Sequence, residues 1–137
     1  MAMPERVLII DDEVVLAGLY VRLLAEEGYK AFLATTPDEA IPLVQEHEPA
    51  LILLDCKMPL FSGEEFVGIL RERCPAPFSK AFVVGFSSFD PDMNVVESFK
   101  ESVHQFVRKP DDVEAFISLI ADLMNQSRKF SATGCAK

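Results

Sequence analysis

The chain has no tryptophan, only two tyrosines and three cysteines, and far fewer basic than acidic side chains. Its cysteines, Cys56, Cys74 and Cys135, are scattered and odd in number, which argues against a disulfide framework and against a zinc site. Thirteen Lys and Arg against 22 Asp and Glu leave a net charge of −9. Direct nucleic-acid binding is therefore disfavoured, because phosphate contacts need clustered lysine and arginine. Basic or metal-bearing partners suit this balance better. No apolar run is long enough to cross a bilayer, and Met-Ala-Met-Pro-Glu-Arg lacks the basic-then-apolar pattern of a secretory signal. A Gly-rich loop ending in Gly-Lys-Ser/Thr is also missing, which excludes a P-loop nucleotide enzyme. The expectation is a soluble, cytoplasmic protein with no membrane partner. Its 137 residues suit one domain that buries about two thirds of its unfolded surface.

What is present centres on residues 51–63. Leu51-Ile52-Leu53-Leu54 is a continuous apolar run, as expected of a strand buried on both faces, and Asp55 ends it with a carboxylate. Met58-Pro59 cannot extend the strand, and Gly63 permits the turn before the next helical pattern. Three other short apolar runs also end in polar residues: residues 7–10 before Asp11-Asp12-Glu13, residues 82–86 before Ser87-Ser88, and Phe106-Val107 before Arg108-Lys109-Pro110. A further strand is expected at residues 31–34.

Between these strands lie helical patterns. The first runs through Val15, Leu16, Leu19, Leu23 and Leu24 to a C-capping Gly28; the second starts at the capping box Thr36-Pro37-Asp38-Glu39. A third follows Gly63 and stops at Pro75-Ala76-Pro77. The fourth opens at Asp90-Pro91-Asp92, and the last begins at Asp111-Asp112. From about Arg128 a flexible tail is expected, so the domain is bounded at residues 1–127, with 128–137 outside it. Five strands alternating with five helices predict a doubly wound α/β sheet with helices on both faces. In such a sheet the ligand crevice lies beyond the C-terminal strand ends, where strand order reverses. If that point falls between strands one and three, Asp11, Asp12 and Asp55 converge.

Three carboxylates so close repel one another, so either their pKa values rise or a hard cation sits among them, and Mg2+ suits oxygen ligands. Asp12 and Asp55 are assigned to direct ligation, Asp11 to a contact through water, and the backbone carbonyl of Lys57 to a further position. Asp55 is also the candidate nucleophile toward phosphorus, with Lys109 and the Ser87 hydroxyl as partners of the phosphoryl oxygens. Taken singly, each has a plainer role: Asp55 could punctuate a strand, Asp11-Asp12 could cap a helix, Ser87 could serve a turn, and Lys109 could be solvated.

Asp11-Asp12, Asp55-x-x-Met58-Pro59-x-x-x-Gly63, Ser87 and Lys109-Pro110 together resemble a response-regulator receiver domain, over about residues 6–125. The resemblance implies a flavodoxin-like sheet of order 2-1-3-4-5 and phosphotransfer to Asp55 from a sensor histidine kinase or phosphotransfer domain, with slow loss of the phosphate to water. It also implies a switch in which Ser87 moves toward the phosphoryl group and Phe106 turns inward. That switch would reshape the face of helix 4, strand 5 and helix 5, where an output domain, another protein or a second receiver docks, a homodimer included. The chain departs from the family pattern at Ser87 (commonly Thr), Phe106 (often Tyr), Ser102-Val103 (often Gly-Ala) and Ser88 (often Ala or Gly). Lys57 and Phe89 flank the acceptor, and Phe89 is expected to shield the phosphoryl group and lengthen its lifetime.

Two other functions are weighed. A haloacid-dehalogenase-like phosphatase needs a second aspartate two residues after the first, where Lys57 stands. A receiver-shaped interaction module acting without phosphorylation usually has a damaged acid pocket, whereas every acid is present here.

Overall fold

In the computed structural model, residues 4–55, 62–87 and 97–132 are described. One sheet contains β1 (Arg6–Ile10), β2 (Lys30–Ala34), β3 (Leu51–Leu54), β4 (Phe82–Ser87) and β5 (Gln105–Arg108). All neighbours pair in parallel, in the order β2-β1-β3-β4-β5. This is the expected flavodoxin-like order, and its reversal falls between β1 and β3.

Among the described residues six helices flank the sheet, not five: α1 (Val14–Glu26), α2 (Pro37–His47), α3 (Gly63–Arg73), α4 (Pro75–Lys80), α5 (Glu97–Ser102) and α6 (Val113–Ala132). The additional one is α4. Pro75 ends α3 as expected, but it also occupies the first position of a new helical turn, where its missing N–H is no loss. Burial of Phe78 and Cys74 then holds that turn against the core. No helix among the described residues is long and apolar enough to cross a membrane.

Strand residues alternate between two cores. Leu8, Ile10, Ile52, Leu54 and Val83 pack with Ala40 and Val44 of α2, Phe66 and Leu70 of α3, and Phe78 of α4. Val7, Ile9, Leu51, Leu53, Val84 and Phe86 pack on the other side with Tyr20 and Leu24 of α1 and Phe116, Ile120, Leu123 and Met124 of α6. The side chains of β1 and β3 from Val7 to Ile10 and Leu51 to Leu54 are at most 1% exposed. Burying each favours folding by roughly 1.5–3 kcal/mol relative to exposure, so these two strands form a rigid platform under their own C-terminal ends.

Helix ends follow the expected chemistry. Thr36 Oγ1 accepts from the Glu39 N–H at 3.2 Å, while Glu39 reaches back to the Thr35 N–H at 2.7 Å, which holds its carboxyl below the usual range. Ser62 and Glu65 form a reciprocal capping box that starts α3. Gly28, at φ 93°, takes the left-handed conformation that ends α1.

Two sequence expectations change. In α1 the inward residues are Ala17, Tyr20 and Leu24, whereas Val15 and Leu19 face solvent at 88% and 43% exposure. At the other end, α6 continues past the expected limit at residue 127 as far as Ala132. Its last turns are anchored: Ser127 Oγ donates to the Ala50 carbonyl at 2.9 Å, Arg128 Nε donates to Glu5 at 2.9 Å, and Phe130 lies 4.5 Å from the His104 ring. Residues 128–132, expected in the tail, are thus helical, and residues 133–137 lie outside the described residues.

Candidate functional site

Four strand ends build the site through backbone hydrogen bonds. The Asp11 N–H donates to the Ala34 carbonyl at 3.1 Å, and the Asp55 N–H donates to the Ile10 carbonyl at 2.9 Å. Both aspartates therefore continue the ladder by one residue and share the same rim. At the β4–β5 edge, the Lys109 N–H donates to the Ser87 carbonyl at 2.7 Å. Four polar residues of this rim are buried: Asp11 at 1% exposure, Asp55 at 7%, Ser87 at 0% and Lys109 at 8%.

One carboxylate oxygen from each of Asp11, Asp12 and Asp55 lies within 4.8 Å of the others. Asp12 is the most open of the three to solvent. Oxygen-only donors at this spacing match the preference of a hard divalent cation. Lys109 Nζ donates to Asp11 Oδ2 at 2.8 Å and to Glu13 Oε1 at 3.3 Å. Asp11 Oδ1 accepts from the Glu13 N–H at 2.9 Å, so both oxygens of Asp11 have protein partners. Burial alone would lower the Lys109 pKa, but its hydrogen bond to Asp11, the charges of Asp55 and Asp11, and the Glu13 contact together hold it above the ordinary lysine value. The ammonium also lies 5.9 Å from the Phe86 ring centroid. Beneath it Tyr20 stacks on Phe116 at 4.2 Å, and burial raises the phenol pKa.

The three aspartates and Lys109 thus meet as the sequence predicts, and Ser87 stands on the same rim. Phe106 is half-buried against the α2–α4 side of the sheet, with Lys100 Nζ 6.0 Å from its ring centroid. Lys57, Cys56, Ser88 and Phe89 lie outside the described residues. Sequence reasoning missed the link between Glu13 and Lys109. Its only signal was a third acid directly after Asp11-Asp12, which reads equally well as helix-start chemistry.

Sheet order and rim together define a flavodoxin-like α/β protein whose acid cluster sits at the switch point between β1 and β3. Within that class the chain belongs to the response regulator receiver domain family, whose model matches residues 7–121, and it is a receiver domain of two-component signalling. Among curated relatives, the transcriptional regulatory protein YvrH of Bacillus subtilis is 34% identical over 105 residues, covering 76% of this chain and 42% of YvrH. Hybrid signal transduction histidine kinase C of Dictyostelium discoideum is 26% identical over 112 residues, covering 78% of this chain and 9% of the kinase. The chain thus spans less than half the length of either. Among solved structures, the response regulator TrrA of Thermotoga maritima, in complex with Mg2+-BeF, aligns with a TM-score of 0.67 at 24% identity, covering 87% of this chain and 98% of TrrA.

Proposed function

We propose that this chain is a phosphoacceptor receiver and that Asp55 takes a phosphoryl group from a sensor histidine kinase or a phosphotransfer protein. The observation that supports it most is the meeting of three carboxylates from two strands with a buried lysine from a third loop. In the transfer a carboxylate oxygen of Asp55 attacks phosphorus, and the bond from phosphorus to the donor's imidazole nitrogen breaks. The electron pair leaves with the nitrogen, which takes a proton from solvent. In the later hydrolysis a water oxygen attacks phosphorus, the bond to Asp55 breaks, the carboxylate is restored, inorganic phosphate leaves, and one proton passes to solvent.

Asp12 and Asp55 are the residues to hold Mg2+ directly. Asp11, with both oxygens already engaged, contributes through water, and the Lys57 backbone carbonyl adds a further ligand. Bound there, Mg2+ would offset the negative charge on the attacking and transferring oxygens. Lys109 pairs with phosphoryl oxygens as a buried cation, and the Ser87 hydroxyl donates another hydrogen bond from the end of β4. The output face is that of α5, β5 and α6, on which Phe106 lies. Its occupant is an output domain, a separate protein or a second copy of this chain.

The donor has its own surface. Val14, Val15, Leu19 and Val113 are exposed by 43% or more, and the first three begin directly after Glu13. A donor must bring its nitrogen to the Asp55 carboxylate, so it must cover this border of the pocket, and an apolar partner helix fits there. The deciding experiment is intact-mass measurement after incubation with acetyl phosphate and Mg2+. A single phosphoryl increment is expected on the wild type and none on Asp55→Asn; no increment on either would overturn the reading.

A further inference from the structure

Glu13 stands at the N-cap of α1, where a carboxylate ordinarily turns back onto the free N–H groups of the helix, yet it makes no side-chain cap. Its Oε1 instead lies 3.3 Å from Lys109 Nζ. The two carboxylates that hold this ammonium differ in kind. Asp11 is 1% exposed and fixed at the strand end, with one oxygen on the Glu13 N–H and the other 2.8 Å from Lys109. Glu13 has a side chain 61% exposed and makes the longer contact. Of the two contacts the Glu13 one is the longer and the more exposed, so it is the one that yields at little cost, its carboxylate returning to water.

We infer that Glu13 is a positioning residue for the phosphoacceptor reaction, holding Lys109 in the resting protein as an exchangeable counter-ion that an incoming phosphoryl group must displace. The inference rests on the phosphoacceptor reading and adds a restraint to it. Asp11 anchors the lysine permanently, while Glu13 competes with the phosphoryl oxygens for the same ammonium protons. Removing the competitor leaves Lys109 with the Asp11 hydrogen bond and the charge of Asp55. In the covalent step one phosphorus–oxygen bond of acetyl phosphate breaks, with its electron pair leaving on acetate, as the bond to Asp55 forms. Lys109 donates hydrogen bonds throughout and gives up no proton.

The test is the rate of phosphoryl adduct formation from acetyl phosphate with saturating Mg2+, followed by intact mass, for wild type, Glu13→Gln and Glu13→Asp. A pair with one solvent-facing partner is worth up to about a fivefold factor, so Glu13→Gln is expected to react about two- to fivefold faster, with a lower half-saturating acetyl phosphate concentration. Glu13→Asp separates contact from charge, because it keeps the negative charge and falls a methylene short of Lys109. On this inference it accelerates as the glutamine does. Acceleration in Glu13→Gln alone would assign the effect to bare charge and overturn the contact role. Equal rates in all three, with adduct formed, would overturn the inference and leave Asp55 as acceptor. Absence of adduct on the wild type would remove both. Unchanged urea midpoints confirm that the variants are folded.

Discussion

Neutralising one acid of the cluster should make the protein more stable while disabling its cation response. Asp12 is the residue to change, because no hydrogen bond ties it to Lys109 and it is the most open of the three. At the outer spacing of 4.8 Å, two full negative charges repel by about 3.5 kcal/mol at an effective dielectric of ~20, and by about 0.9 kcal/mol in bulk water. Asp12 has two such neighbours, partly screened by solvent, so Asp12→Asn should gain about 1–2 kcal/mol in the presence of EDTA. For a chain of this size that corresponds to roughly 3–8 °C in Tm. Mg2+ should reverse the ranking: at a hundredfold excess over its Kd it stabilises the wild type by about 2.7 kcal/mol, and the variant by much less. Urea unfolding followed by far-UV circular dichroism measures both, since the chain has no tryptophan to report. An unchanged m-value would confirm that only stability moved. The reasoning fails if Asp12→Asn is no more stable than wild type in EDTA, or if it keeps the full response to Mg2+.

The Val83 N–H donates to His104 Nδ1 at 2.9 Å, and burial, then the charge of Arg71, lowers the His104 pKa. The folded value lies below the unfolded one, so this stability is complete above about pH 6.5 and is lost as pH falls through that value toward the folded pKa. His104→Asn keeps an acceptor without titrating and should flatten the acid-side decline; identical declines in both proteins would refute this. Phe116, 1% exposed and stacked on Tyr20, should cost about 3–5 kcal/mol on change to Ala, and a urea-derived loss below ~1 kcal/mol would show that the second core is not packed as described. Val15→Ser with Leu19→Ser should slow transfer from a phosphohistidine donor about tenfold relative to transfer from acetyl phosphate. An unchanged ratio of the two rates would move the donor to another surface.

The strands and the aspartates were legible because a strand buried on both faces has to be a continuous apolar run, and a carboxylate at its end interrupts that run. The inward face of α1 was not. Nearly every position from Val14 to Leu24 is apolar, so periodicity could not choose between Val15 with Leu19 and Ala17 with Tyr20. Pro75 signals a terminator in the sequence, although a proline that ends one helix can open the next. The extension of α6 was hidden because its anchors, Glu5, Ala50 and His104, are remote in sequence from Arg128 and its neighbours. The Lys109–Glu13 contact spans 96 positions and reflects the sheet order, which no local pattern encodes.

The division of the interior into two cores has a consequence for biosynthesis. The α2–α4 side of the sheet draws its helical contacts from the middle of the chain, whereas the α1 side needs Phe116, Ile120, Leu123 and Met124 from the last helix to be made. A nascent chain can therefore bury one surface while its opposite surface stays wet, with the Tyr20 and Phe86 rings uncovered until α6 leaves the ribosome. Chaperone capture and early proteolysis should concentrate in that interval, and variants that loosen α6 should lower cellular yield more than those that loosen α2 to the same degree.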